Sequence, residues 1–246
     1  MFRVLGRAAL LLCALLAPHA AAAAGPPALE AVVTQGMPWY IDAAADPPGL
    51  HVELLREAAR EAGLPLHLQP SPYVRVRSSL LAGTADVAIC MRDAELDRRA
   101  ILVAEVLTTN TVLATLDPTA PATLDGYAGR PVGTVRGTPY GALLDARPGI
   151  DKVEATNLAQ ALTMLAGGRI DALVGAEPAI RFNQEVRSRG ASVLTHVVGT
   201  QAWALYVRAG LPAERVEALR AAAARMAAAG RADALLARYL GSTPRS

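Results

Sequence analysis

Apolar positions along this chain fall into short continuous runs and one-sided stripes that alternate over most of its length. From Leu50 to Ala62 the residues Leu54, Leu55, Ala58, Ala59 and Ala62 lie on one face, and Gly63 comes next, which predicts an amphipathic helix with a glycine stop. A second helix is predicted to end at Gly83, after the loop Ser71-Pro72-Tyr73-Val74-Arg75. The apolar run from Val87 to Cys90 then reads as a buried strand. Ala31–Thr34 and Leu66–Gln69 read as strands before it, and Asp46-Pro47-Pro48-Gly49 as a turn. Further on, strands are predicted at Thr109–Leu116, Pro131–Val135, Val153–Ala155, Ile170–Val174, Val193–Val197 and Ala202–Val207. Helices are predicted at Pro139–Ala146, Asn157–Ala166, Glu177–Ser188, Ala213–Ala229 and Arg231–Leu240. A polar loop is expected between Met91 and the pair Arg98-Arg99.

Strands that alternate with helices predict an α/β fold with mainly parallel sheets flanked by helices. One pattern occurs twice. Leu81-Ala-Gly-Thr-Ala-Asp86-Val-Ala-Ile-Cys90 is echoed by Leu165-Ala-Gly-Gly-Arg-Ile-Asp171-Ala-Leu-Val-Gly175. Both read as helix, glycine turn, aspartate and buried strand, so two lobes with a central cleft are expected. The crossings between lobes are placed at the Pro-rich stretch Asp117–Ala122 and at the strand around Gln201–Tyr206. The first lobe then takes residues 25–108 with the C-terminal helices of 205–246, and the second takes residues 109–204.

The first 24 residues stand apart. Arg3 and Arg7 precede the apolar run Ala8–Ala17, and a small-residue zone comes after it, which is the pattern of a secretory signal peptide cleaved near Ala22–Ala24. Elsewhere no apolar run approaches the roughly 20 residues that span a bilayer. Loss of the leader takes two arginines and no acid, so the formal charge falls from +2 to zero. A neutral exported protein gives no reason to expect nucleic acid as a partner. Cys13 goes with the leader and leaves Cys90 alone, so no intramolecular disulfide is expected. Cys90 reads as a small buried apolar residue, and its place at a strand end also sets it near the cleft. The histidines His19, His51, His67 and His196 are scattered, with no cysteine or acid at ligand spacing, so no metal or other cofactor is expected.

Aromatic residues narrow the site. The chain has only two Trp, six Tyr and two Phe. Trp39, Tyr40, Tyr73 and Tyr140 lie on loops predicted at the cleft, where ligand contact explains them better than core packing. Trp203 lies in a crossing strand and reads as core. Arg75 lies close after Tyr73 at the cleft end. Arg98, just beyond a strand end, is placed to hold an anion in the crevice.

This order of elements resembles the type II periplasmic binding proteins, and specifically the bacterial extracellular solute-binding family 3 that binds polar amino acids. The matching pieces are Pro48-Gly-Leu-His-Val-Glu-Leu-Leu55, similar to the family's Gly-Phe-Asp-x-Asp-Leu, then Leu81–Asp86, Arg98, and Val132-Gly-Thr-Val-Arg-Gly-Thr138. The resemblance implies that Arg98 clamps an α-carboxylate, because a guanidinium meets a carboxylate in bidentate geometry. It implies that Thr138 binds at the start of a second-lobe helix and that Tyr73 stacks on the ligand. Positions where the family often shows ligand-contacting serines read Cys90, Met91 and Asp93. The acid that pairs with an α-amine falls at Ala176, with Glu177 beside it.

The residues and the resemblance together point to a non-enzymatic, monomeric periplasmic protein that closes on a small amino acid or carboxylate. The resemblance implies transfer of that ligand to an ABC permease in the inner membrane. Two other readings stay open. One is a free-standing sensory or accessory protein that binds a ligand without transport. The other is an enzyme like cyclohexadienyl dehydratase, for which Glu95 and Glu177 would be the general-acid candidates.

Overall fold

The computed structural model describes residues 26–140, 143–144, 147–187 and 193–241. The leader and its cleavage zone lie outside the described residues, as do Gly141, Ala142, Asp145 and Ala146 of the helix expected over Pro139–Ala146, of which Leu143 and Leu144 are helical. The strands are β1 (Leu29–Thr34), β2 (Leu66–Ser71), β3 (Val87–Met91), β4 (Ala100–Thr115), β5 (Pro131–Val135), β6 (Asp151–Ala155), β7 (Ala172–Ala176) and β8 (Leu194–Arg208). The helices are α1 (Leu50–Ala62), α2 (Tyr73–Ala82), α3 (Ala94–Arg99), α4 (Leu158–Ala166), α5 (Glu177–Arg187), α6 (Ala213–Ala228) and α7 (Arg231–Gly241). A 3-10 turn covers Leu124–Tyr127.

The strands form one sheet in the order β2-β1-β3-β8-β4-β7-β5-β6. The pairs β1–β2, β1–β3, β5–β6 and β5–β7 are parallel. The pairs β3–β8, β4–β7 and β4–β8 are antiparallel. The sheet is therefore mixed, and its parallel pairs lie towards the two edges.

Several elements differ from the sequence reading. The loop expected over Ser71–Arg75 ends at Pro72, and Tyr73, Val74 and Arg75 form the first turn of α2. The strands expected at 193–197 and 202–207 are one strand, and the strand expected at 109–116 begins nine residues earlier, at Ala100. β4 and β8 pair along nearly their whole lengths, from Ala100↔Arg208 to Thr115↔Leu194, with register shifts near Ala104, Leu107 and Val112. Polar residues interrupt the apolar pattern midway, at Thr108–Thr111 and Gly199–Gln201, while the backbone ladder continues. The polar loop expected after Met91 contains α3. Asp93 caps it by accepting from the Glu95 and Leu96 amides, Glu95 and Asp97 lie in its first turn, and the arginines lie in its last. With only Leu96 buried, so short a helix leaves no apolar period to read.

Helices cover both faces. Val76, Leu80, Cys90, Leu96 and Tyr206 form an apolar cluster beneath α2 and α3. Val112, Met164, Leu165, Leu173 and Ile180 form its counterpart beneath α4 and α5. A larger cluster joins Leu54, Leu55, Ile89, Leu205, Leu219 and Tyr239 under α1, α6 and α7. α6 packs on α1 and β4, while α7 touches both α1 and α5.

The repeated glycine–aspartate segments occupy equivalent places. Asp86 ends the α2–β3 turn, accepting from Arg208 Nε at 2.7 Å and from the Glu30 amide at 3.0 Å. Asp171 ends the α4–β7 turn and accepts from Arg130 Nε at 2.6 Å.

Candidate functional site

The parallel strands β1 and β3 end on the same side of the sheet, and the residues beyond their ends converge there. The loop after β1 folds back on itself through the Tyr40 amide, which donates to Gly36 O at 3.0 Å. It then docks on the start of α1, where the Leu50 and His51 amides donate to Pro38 O and Trp39 O. This approach is close enough that a Cβ at Gly49 would sit 2.6 Å from Trp39 O, and Gly49 itself has φ of 125°, so glycine is required there.

The docked loop brings the Trp39 side chain onto His51, with ring centroids 4.7 Å apart and planes 29° apart. Trp39 also meets Trp203 of β8 at 4.4 Å. Trp203 lies edge-on to His51 at 5.0 Å and to Tyr73 at 6.5 Å. The Trp203 indole N–H donates to Thr109 Oγ1 at 3.0 Å, and the Tyr73 hydroxyl accepts from the Met91 amide at 3.1 Å. Trp39, Tyr73, Met91 and Trp203 are all buried.

His51 is fully buried among these rings, and among the described residues neither of its nitrogens has a hydrogen-bond partner. Thr34 Oγ1, at the end of β1, is also buried without a partner. Burial lowers the His51 pKa from 6.5 to about 3, so the ring is neutral at neutral pH. Burial also pushes the Tyr73 hydroxyl well above its ordinary value and the Cys90 thiol up to about 12.

Across from this cluster lie residues of the β5–β7 half. Thr138 forms a tight turn, its hydroxyl donating to Val135 O at 2.5 Å and its amide to the same oxygen at 3.1 Å. Tyr140 is buried, with its hydroxyl bonded by the Ala176 backbone, and desolvation raises its pKa. Glu177, the first residue of α5, accepts from Asn110 Nδ2 at 2.8 Å and lies 3.5 Å from Arg181. Two contacts join the sides. A Cβ at Gly137 would come within 2.9 Å of Val74, beside Tyr73. Asn183 of α5 donates to Met37 O at 3.0 Å as well as to Ala179 O within its own helix.

The structure thus brings together Trp39, Tyr73 and Met91 on one side and places Thr138, Tyr140 and Glu177 on the other. Tyr40 is half-buried beside them, its hydroxyl accepting from the Ala43 amide at 3.4 Å. Cys90 belongs to the cluster with Val76 and Tyr206, on the other face of β3 from Met91, as strand alternation requires. Arg75 and Arg98 are exposed, and among the described residues neither guanidinium has a hydrogen bond or ion pair. The arginine drawn inward here is Arg77, fixed by Asp93 at 2.8 Å and by Glu95 at 3.2 Å.

Sequence reasoning passed over His51, Thr34, Asn110 and Asn183, while Trp203, expected in the core, is buried in it. One signal was present for His51. It occupies the first aspartate position of the Gly-Phe-Asp-x-Asp-Leu pattern, two residues after Gly49.

Two groups of strands bridged by a long antiparallel pair, with site residues at strand ends, define the fold of the type II periplasmic binding proteins. No protein-family model matches the sequence, and no curated protein does either. The chain is similar in structure to the amino acid ABC transporter substrate-binding protein AbpA of Streptococcus pneumoniae bound to L-arginine. The TM-score is 0.75 at 18% identity, over 88% of this chain and 95% of that one. It is similar to the GluR0 ligand-binding core from Nostoc punctiforme in complex with L-glutamate, at TM-score 0.74 and 16% identity, over 86% and 98% of the two chains. It also matches the periplasmic VFT2 domain of Bordetella pertussis BvgS at TM-score 0.73 and 20% identity, over 86% and 92%. No described helix is long and apolar enough to cross a membrane.

Proposed function

We propose that this chain is a periplasmic solute-binding protein, not an enzyme, that closes two lobes over a small amino-acid-like ligand. The lobes are residues 25–108 with 205–246, and residues 109–204, and they bend about the middles of β4 and β8. The observation that carries this reading is the aromatic cluster of Trp39, Tyr73 and Trp203 at the strand ends, opposite Thr138 and Glu177. Aromatic faces suit an ammonium or a flat side chain, and the Glu177 carboxylate supplies a counter-charge for an amine. Arg75 follows Val74 at the contact between the two sides, so with Arg98 it offers a free guanidinium for a carboxylate at the rim. Neighbours bound to arginine and glutamate support an amino-acid ligand, and the substrate-binding neighbour supports delivery to an ABC permease. The likeness to the BvgS domain favours a second reading, ligand sensing without transport.

A thermal-shift panel of amino acids and small carboxylates on the chain without its leader tests ligand binding. A ligand at 1,000 times its Kd should stabilise the protein by about 4 kcal/mol. A flat panel confirmed by calorimetry would overturn the reading. A hit whose affinity is unchanged in both Arg75→Ala and Arg98→Ala would remove these arginines from the site.

A further inference from the structure

The floor of the aromatic cluster contains polar atoms that the protein itself does not use. Both ring nitrogens of His51 are buried and unpaired among the described residues. A buried polar group without a partner costs about 1–3 kcal/mol, so such groups are rare and call for a reason. His51 also lies directly behind Trp39, the residue that the loop after β1 carries into the site.

We propose that His51 is a ligand-contact residue, and that the part of the ligand reaching this floor is an uncharged, planar, polar group such as a carboxamide or a heteroaromatic ring. This rests on the ligand-binding reading above and names the chemistry of its innermost subsite. Three observations support it. A neutral imidazole offers one donor and one acceptor, which matches a group that carries both. The faces of Trp39 and Trp203 favour a flat group that takes the place of an indole when Trp39 turns aside. The half-buried charged side chains closest to the rings on α1 and α2 are already engaged, and the free guanidinium of Arg75 is exposed at the rim. Arg77 is held by Asp93 and Glu95, and Glu53 by Tyr239 and Arg238. A guanidinium or carboxylate on this floor would be desolvated with no free counter-charge.

Calorimetry on the chain without its leader compares L-glutamine, L-asparagine and (at pH 8) L-histidine with L-arginine and L-glutamate. Ligands with uncharged heads should bind at least about tenfold tighter. His51→Phe should weaken them by at least about tenfold, and His51→Gln by less. In the unaltered protein, the ¹⁵N signals of the His51 ring should shift on saturation, a readout independent of how the variants fold. Tighter binding of arginine or glutamate, ring signals that do not move, or a folded His51→Phe protein of unchanged affinity would each overturn the inference while leaving ligand binding intact. Failure of every amino acid to bind would overturn both.

Discussion

The two groups of strands share one frame and carry different chemistry. One runs β2-β1-β3 and then the C-terminal part of β8, and the other runs β6-β5-β7 and then the C-terminal part of β4. Each central strand comes after a helix, a glycine turn and an aspartate clasped by an arginine, through Asp86–Arg208 in one and Asp171–Arg130 in the other. At the strand ends the likeness stops. The β1–β3 side presents a buried aromatic floor around an unpaired histidine, while the β5–β7 side presents a hydroxyl turn and a carboxylate. A frame can therefore be built twice from the same local sequence, while the site depends on a few side chains beyond the strand ends.

Core truncation is expected to show the largest difference between the halves. Trp203→Ala removes a fully buried ring and leaves Thr109 Oγ1 without its donor, which should cost about 4–5 kcal/mol. Leu113→Ala, on the β4 strand that takes the equivalent place in the other half, should cost about 3 kcal/mol. Urea unfolding midpoints measure both, and an equal or larger loss for Leu113 would break the asymmetry.

Acid should act on the aromatic half next. The folded His51 pKa lies below its ordinary value, so the folded form binds fewer protons than the unfolded chain. Its contribution is fully present above pH 6.5 and is lost as pH falls from 6.5 towards about 3. The slope should approach about 1.4 kcal/mol per pH unit. Trp39 and Trp203 carry no charge in that range, and burial keeps the Tyr73 hydroxyl protonated. Stability measured between pH 6.5 and 5 should therefore slope in the native protein and flatten in His51→Phe. Equal slopes would mean that the ring is solvated.

The smallest difference is expected between the two aspartate clasps. Asp86 is 14% exposed and accepts two bonds, whereas Asp171 is 32% exposed and accepts one from an arginine itself 37% exposed. Asp86→Ala should cost about 2 kcal/mol and Asp171→Ala about 1 kcal/mol or less. A reversal of that order would show that solvent access does not govern these pairs.

Most of the frame was legible in the sequence, because most helices and strands bury a face whose period appears in the residues themselves, α3 being too short to show one. α1 begins and ends where Leu50 and Gly63 place it, and the glycine–aspartate echo marks equivalent turns. The aromatic scarcity that singled out Trp39 and Tyr73 led to residues that lie together in the structure. The arginines were harder to read. Sequence position alone gives no measure of which guanidinium turns inward, and Arg77 is paired inside while Arg75 and Arg98 face solvent.

The sequence by itself determined the α/β alternation, most of the helices and strands, and the loop that carries Trp39 and Tyr40, since these depend on local periodicity and turn residues. Only the tertiary structure decided that β4 and β8 are continuous, that Trp203 meets Thr109 from 94 residues away, and that His51 is enclosed without a partner. Strand pairing, burial and unpaired polar atoms are relations between distant segments. A hydrophobic pattern records whether a residue is covered, not which residue covers it.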